Sequence, residues 1–192
     1  MSSTWGSGTS SRLLCAAGVA LAVVCICPAV SLGKVFWSRA EALELAFPDA
    51  DRVESEIYVL TDDQKHRIEK LGHAAVDSKV IRIYTGFQGE RVVGYAVIDV
   101  HNVRTLPEAF MVVLTPEGAV RSLRVLAFHE PLDYLPTKRW YEQFGGKTLR
   151  DRLRVGDDVH AVVGATLSAQ ATTRGVRRAL AYYEILVQGG PN

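Results

Sequence analysis

The chain has no cysteine beyond residue 27. Its three, Cys15, Cys25 and Cys27, all sit near the N-terminus. The remainder therefore has no disulfide, no thiolate nucleophile and no iron–sulfur cluster. Histidine is also sparse. His66, His73, His101, His129 and His160 show neither i,i+4 pairing nor a cysteine partner, which argues against a zinc site. His129-Glu130 resembles the start of a metalloprotease helix, but Pro131 follows and no second histidine stands four residues on. There is no Gly-x-Ser-x-Gly nucleophile elbow and no Ser/His/Asp or Cys/His arrangement. Charge of one sign is lacking too, with 22 Lys+Arg against 21 Asp+Glu, so nucleic acid is not an expected partner. No internal repeat is visible, and the Ser/Gly/Thr-rich residues 1–11 are the only low-complexity tract.

Long apolar runs are absent except for one. Leu13 to Leu32 is almost wholly apolar, and Arg12 is the only charge before Lys34. A basic start, an apolar stretch and small residues at Ala29-Val30-Ser31 have the shape of an export signal. Cleaved after Ser31, it releases a soluble protein outside the cytoplasm. Uncut, its twenty residues span roughly 30 Å as a helix, about one bilayer core, and anchor the body to the membrane. Both outcomes stay open. The expected organisation is a signal peptide or membrane anchor over 1–33 and one domain over 34–192, consistent with the length of 192 residues.

In the body, "SRAEALELAF" opens with Ser38 and has Glu41 three residues on, a capping box starting a helix that Pro48 stops. "EIYVL" (56–60) is a strand candidate, and "TDDQKHRIEKLG" a second capped helix ending at Gly72. Residues 79–128 are rich in β-branched and aromatic residues. "KVIRIYTG", "RVVGYAVIDV", "AFMVVLT" and "AVRSLRVLAF" alternate partly, with turn residues at 86–89 and 115–118. They predict an antiparallel meander of about four to six strands. "HEPLDYLP" is irregular, and "TKRWYEQFGG" is a short helix in which Trp140, Tyr141 and Phe144 have the spacing of a core face. From Ser168 a helix is predicted with Val176, Leu180, Tyr183 and Val187 on one face and Arg174, Arg177 and Arg178 on the wet side. Helices, then strands, then helices argue for an α+β fold.

Between the last two patterns stands Gly164-Ala165-Thr166. The residues allow two readings. Thr166 or Ser168 is an N-cap, or the glycine and the first helical turn form an anion site, where unpaired N–H groups meet a phosphate. The stretch "GATLSAQATTRGVRRALAYYE" resembles the covalent FMN-binding domain found in the G subunit of Rnf electron-transport complexes. The same domain occurs in the C subunit of the sodium-translocating NADH:quinone oxidoreductase and in smaller exported FMN-binding proteins. The resemblance extends over "EALELAFPDADRVE", "GYAVIDVHNVRT", "LAFHEPLDYLP" and the N-terminal segment. In that family the loop reads Asp-x-x-Ser/Thr-Gly-Ala-Thr, and an FAD-dependent flavin transferase esterifies FMN to the final threonine, here Thr166. This chain has His160 and Val163 at the family's Asp and Ser/Thr positions.

The resemblance implies an electron carrier whose redox chemistry belongs to FMN. Its partners would be the flavin transferase, a membrane redox complex or another electron carrier, and the membrane through the N-terminal segment. The implied FMN-binding residues are Gly164, Ala165, Thr166, Leu167 and Ser168, with Arg104 and Thr105 lining the site and 130–134 beside it. Two other classes share these residues: an FMN-dependent reductase of a small extracytoplasmic acceptor, and a flavin-free binding or assembly module. Turnover with a defined acceptor marks the first, and a colourless protein in the presence of the transferase marks the second.

Overall fold

The structure is a computed structural model that describes residues 1–2 and 33–189; the apolar stretch 13–32 lies outside them. Residues 33–189 belong to one compact unit. Its elements are β1 (Lys34–Val35), α1 (Arg39–Ala46), β2 (Arg52–Val59), α2 (Asp62–Gly72), β3 (Val80–Gln88), β4 (Arg91–Asn102), β5 (Pro107–Leu114), β6 (Val120–Phe128), α3 (Lys138–Glu142) and α4 (Thr166–Tyr182). A 3₁₀ turn covers Leu132–Tyr134, and α4 runs on as a π-helical turn over Tyr183–Gln188.

The six strands form one antiparallel sheet in the order β1-β6-β5-β4-β3-β2, so the fold is α+β with a continuous meander from β2 to β6. The two-residue β1, which sequence reasoning missed, pairs Lys34 with Phe128 and Val35 with Ala127. β2 begins four residues before the predicted "EIYVL", because Arg52 to Glu54 already pair with β3.

Side-chain alternation divides the interior between the two faces of the sheet. On β5, Phe110, Val112 and Leu114 point to one face, where α2, α3 and α4 contribute Ile68, Trp140, Phe144, Val176 and Leu180. Met111 and Val113 point to the other, against Ala42, Ala46 and Phe47 of α1 and its C-cap. The central strand therefore reads as a nearly unbroken buried run. Trp140, Tyr141 and Phe144 pack edge-on at 5.1 and 5.3 Å inside the core.

The predicted capping box of α1 forms, and the predicted cap of α2 is a capping box too. Ser38 and Glu41 exchange bonds of 2.8 and 3.3 Å, and Thr61 and Gln64 bonds of 3.0 and 3.1 Å. At the end of α2 the left-handed residue is His73, at φ 46°, rather than Gly72. Gly72 is helical and buried, and a Cβ there would lie 3.2 Å from the Arg177 carbonyl, so its smallness serves the packing of α2 on α4.

The wet side predicted for α4 is wrong at Arg178. Its guanidinium lies in the core, paired to Asp99 of β4 by bonds of 2.9 and 2.7 Å. Gly175 lets the helix come that close, since a Cβ there would sit 2.5 Å from the Phe110 ring and 2.7 Å from Asp99 Oδ2.

Candidate functional site

The approach to α4 is held by backbone contacts from both sides. Upstream, the Asp158 carboxylate accepts from the amides of Leu153 and Arg154 at 3.0 and 2.8 Å and from Lys147 Nζ at 3.0 Å. Partial burial pushes this carboxyl up, but the two amides and the ammonium outweigh it and hold it at about 2. At the next turn α3 grips His160. The His160 amide donates to Gln143 Oε1 and its carbonyl accepts from Trp140 Nε1, each at 2.7 Å. The His160 side chain itself is exposed.

The chain then turns back at Val162, whose carbonyl accepts from the Ala165 amide at 3.1 Å. Gly164 makes the turn with φ 80°, a left-handed conformation that favours glycine. A Cβ would meet nothing there, so backbone conformation rather than crowding selects the residue. Ala165 occupies the N-cap position and Thr166 is the first helical residue.

Neither Thr166 nor Ser168 caps the helix. The Thr166 hydroxyl reaches back to the Val162 carbonyl at 3.4 Å, Ser168 Oγ is buried without a partner, and no side chain accepts from the first-turn amides. These amides keep their donor capacity and the positive end of the helix dipole. Thr166 is exposed, Leu167 is 50% exposed and Val163 fully so, which puts the Thr166 hydroxyl within reach of a second protein.

The facing wall comes from the β4–β5 connection, and a single buried carboxylate sets its shape. Glu130 Oε1 accepts from the amides of Arg104, Thr105 and Leu106 at 3.2, 2.7 and 2.9 Å. The Thr105 amide is the largest cause that holds this carboxyl below its ordinary range; burial opposes it and the other two amides add to it. With the connection folded around Glu130, Arg104 and Val103 face the start of α4 across a cavity of about 230 Å³, which Tyr134 also borders.

Of the seven residues predicted for the site, Arg104, Gly164, Ala165, Thr166, Leu167 and Ser168 line this one cavity. Thr105 does not. Its amide is spent on Glu130, and its hydroxyl lies 3.5 Å from the same oxygen. Glu130 and Tyr134 of "EPLDY" do border the cavity, and Glu130 is the residue that sequence reasoning undervalued. A glutamate before a proline carries no sign that three amides of a distant loop will converge on it.

An arginine, uncapped helical amides and a left-handed glycine together suit an anion such as a phosphate. The volume is below the ~300–1,000 Å³ usual for a whole small-molecule site. A group the size of a phosphate is within that volume, a whole nucleotide is not, and Glu130 shares the lining with Arg104. A wider cleft of about 820 Å³ lies along the outer side of α4, by Arg152, Arg154, Arg174 and Arg177. Its charge is partly used: Arg152 pairs with Asp157 at 2.8 Å, and Arg177 donates to the carbonyls of Gly72 and Arg152.

Among the described residues no group of three His, Cys, Asp or Glu side chains is arranged to hold a metal ion, and no helix is long and apolar enough to cross a membrane. No protein-family model matches the chain, and no curated protein matches it.

Proposed function

We propose that the body is an extracytoplasmic electron-transfer flavoprotein carrying FMN as a phosphoester on Thr166. The observation that supports this most is the meeting of Arg104 with the uncapped start of α4 around an exposed threonine hydroxyl. The first-turn amides and the Arg104 guanidinium would hold the phosphate, and the Ser168 hydroxyl on the same wall would be a further donor. FMN, once bound, supplies reversible electron uptake. The chain's part is to position the group and keep it from leaving when the protein works outside the cell interior.

A threonine hydroxyl is a weak nucleophile, and among the described residues the Thr166 hydroxyl has one hydrogen-bond partner, the Val162 carbonyl, which is no base. Attachment is therefore the work of a second protein, a flavin transferase. The exposure of residues 163, 164, 166 and 167 gives that enzyme room to engage the loop. The redox partners are a membrane complex or another carrier, with the N-terminal apolar segment bringing the body to the membrane.

Intact-mass measurement of the full chain, co-expressed with a flavin transferase, is the test. A gain equal to FMN less water, abolished by Thr166→Ala, supports the proposal. If the wild-type chain gains nothing while a chain with the full Asp-x-x-Ser/Thr-Gly-Ala-Thr motif is labelled in parallel, the covalent reading is wrong.

A further inference from the structure

Both ends of β6 have chain on either side, and its middle does not. At the C-terminal end Lys34 and Val35 of β1 lie opposite Phe128 and Ala127, and the amides of Phe36 and Trp37 donate to the Leu126 carbonyl at 2.8 and 3.3 Å. At the N-terminal end the Gly146 amide donates to the Val120 carbonyl at 2.7 Å, and the Val120 amide to the Lys147 carbonyl at 2.8 Å. Between these points residues 121–125 follow β5 along one edge. Among the described residues no backbone group pairs with them on the other edge. The open stretch is about 17 Å of extended chain.

A cavity of about 610 Å³ lies along this stretch. Its floor is apolar: Leu123 and Val125 are half-buried against the larger core, together with Leu135 and the buried Tyr141 of α3. Phe36 and Trp37 line it where β1 pairs, and Gly145 where the 146–147 segment pairs. Charge on the walls is mostly of one sign, with Arg121, Arg124 and Lys138 against Glu142. The Arg121 guanidinium donates to the Val93 carbonyl, and that of Arg124 lies 5.5 Å from the centre of the Trp37 ring. Neither of them, nor Lys138, meets a carboxylate among the described residues.

These features select the occupant. An open strand edge presents amides and carbonyls at the spacing of another strand, which an extended backbone matches along its length. The floor favours apolar side chains, and the excess of cations favours carboxylates. The opposite edge of the sheet is different. There β2 is exposed except at Tyr58, and Arg52 and Glu54 pair at 2.8 Å, so its own charges blunt it. The middle of β6 lies instead in a walled slot that ends at paired chain on both sides.

We propose that this slot binds an extended, acidic segment of a partner protein, which adds to the sheet as a strand between β1 and residues 146–147. The segment's backbone pairs with residues 121–125. Alternate side chains enter the apolar floor, and carboxylates on the others meet Arg124 and Lys138. The slot shares no residue with the cavity at the start of α4, so the proposal stands apart from the flavin reading.

The probe is a synthetic peptide of three Val-Glu repeats, blocked at both ends and added to the full chain. Amide hydrogen exchange over residues 121–125 is the readout. At ten times its dissociation constant the peptide should slow the outward amides of this stretch roughly tenfold. Two further peptides carry N-methyl groups, one on the valines and the other on the glutamates. Only one of these sets faces β6, so one methylated peptide should lose the effect and the other keep it. Lys138→Glu, at an exposed position in the first turn of α3, should weaken the parent peptide about tenfold. Arg124→Glu serves with the same expectation if that variant does not fold. No slowing at about 1 mM peptide overturns the proposal. So does binding in which both methylated peptides match the parent, because the contact is then made by side chains alone. Slowing in the chain alone that grows with its concentration, with a dimer in sedimentation, makes a second copy the occupant and overturns it too.

Discussion

Glu130 shows how one side chain organises a wall of the site. Its Oε1 collects three consecutive amides, so the Arg104–Leu106 connection takes its shape from a carboxylate more than twenty positions away in sequence. Glu130→Ala leaves those donors without their acceptor and should cost on the order of 3 kcal/mol, read from the urea midpoint. Glu130→Gln keeps an acceptor oxygen and should cost about half of that. A loss under roughly 0.5 kcal/mol for the alanine variant would show that the connection holds its shape without Glu130.

Asp158 extends the residue-scale argument to pH. Its folded value of about 2 lies below the ordinary 3.8, so the stability it contributes is complete above that range. It is lost as pH falls through the folded value. Screened by solvent, the contribution is roughly 1 kcal/mol, and Asp158→Asn should remove it. Thermal melts between pH 5 and pH 2 should therefore fall less steeply for the variant than for the wild type (an on-the-order window set by the two values). Parallel slopes would mean that Asp158 titrates alike in both states. His160 carries the third residue-scale prediction. Its side chain is exposed while its backbone is held by Trp140 and Gln143, so His160→Asp can introduce the aspartate of the Asp-x-x-Ser/Thr-Gly-Ala-Thr motif without disturbing the fold. Under the flavin proposal, the labelled fraction in the mass measurement should rise in this variant.

At the scale of elements, α4 joins the candidate site to the core. Its apolar period was legible: Val176, Leu180 and Tyr183 are buried where the helical spacing puts them. Gly164-Ala165-Thr166 was legible as a junction, but the helix begins at Thr166, two residues before the predicted Ser168. The destination of Arg178 was not legible. A helical period says which residues share a face, but the partner of this arginine is Asp99, 79 positions earlier, and such a pairing leaves no local trace. The same holds for Ala165 as N-cap, because composition favours Thr166 or Ser168 and only the turn at Gly164 decides otherwise. Gly175 tests how closely α4 packs on the sheet. Adding a methyl there meets the buried Phe110 ring and Asp99, neither of which can yield easily, so Gly175→Ala should cost about 1–3 kcal/mol despite the better helix propensity of alanine. A gain in the urea midpoint would show that α4 has room to move away from β4 and β5.

For the whole molecule, the sheet order is the feature that ties the parts together. The meander over 79–128 was readable because turn residues at 86–89 and 115–118 separate runs of the same composition, and these strands pair in chain order. What pairs β1 with β6, and what covers each face, depends on contacts between distant segments. The division of β5 between two cores has a consequence for unfolding. Met111 belongs to the core under α1, and Val112 to the core under α2, α3 and α4, although they are adjacent in sequence. Neither core can come apart without freeing the strand that carries both. Met111→Ala should lose about 2–5 kcal/mol and Val112→Ala about 1–3, both as a lower midpoint for one shared transition. Far-ultraviolet circular dichroism and the fluorescence of Trp140, buried on the side of Val112, are the two probes to compare, with Trp5 and Trp37 replaced by phenylalanine so that the emission is that of Trp140. Coincident curves in both variants are the expected result. If Met111→Ala melts the circular dichroism signal partway while Trp140 keeps its native emission, the two faces fold as separate units and β5 does not couple them.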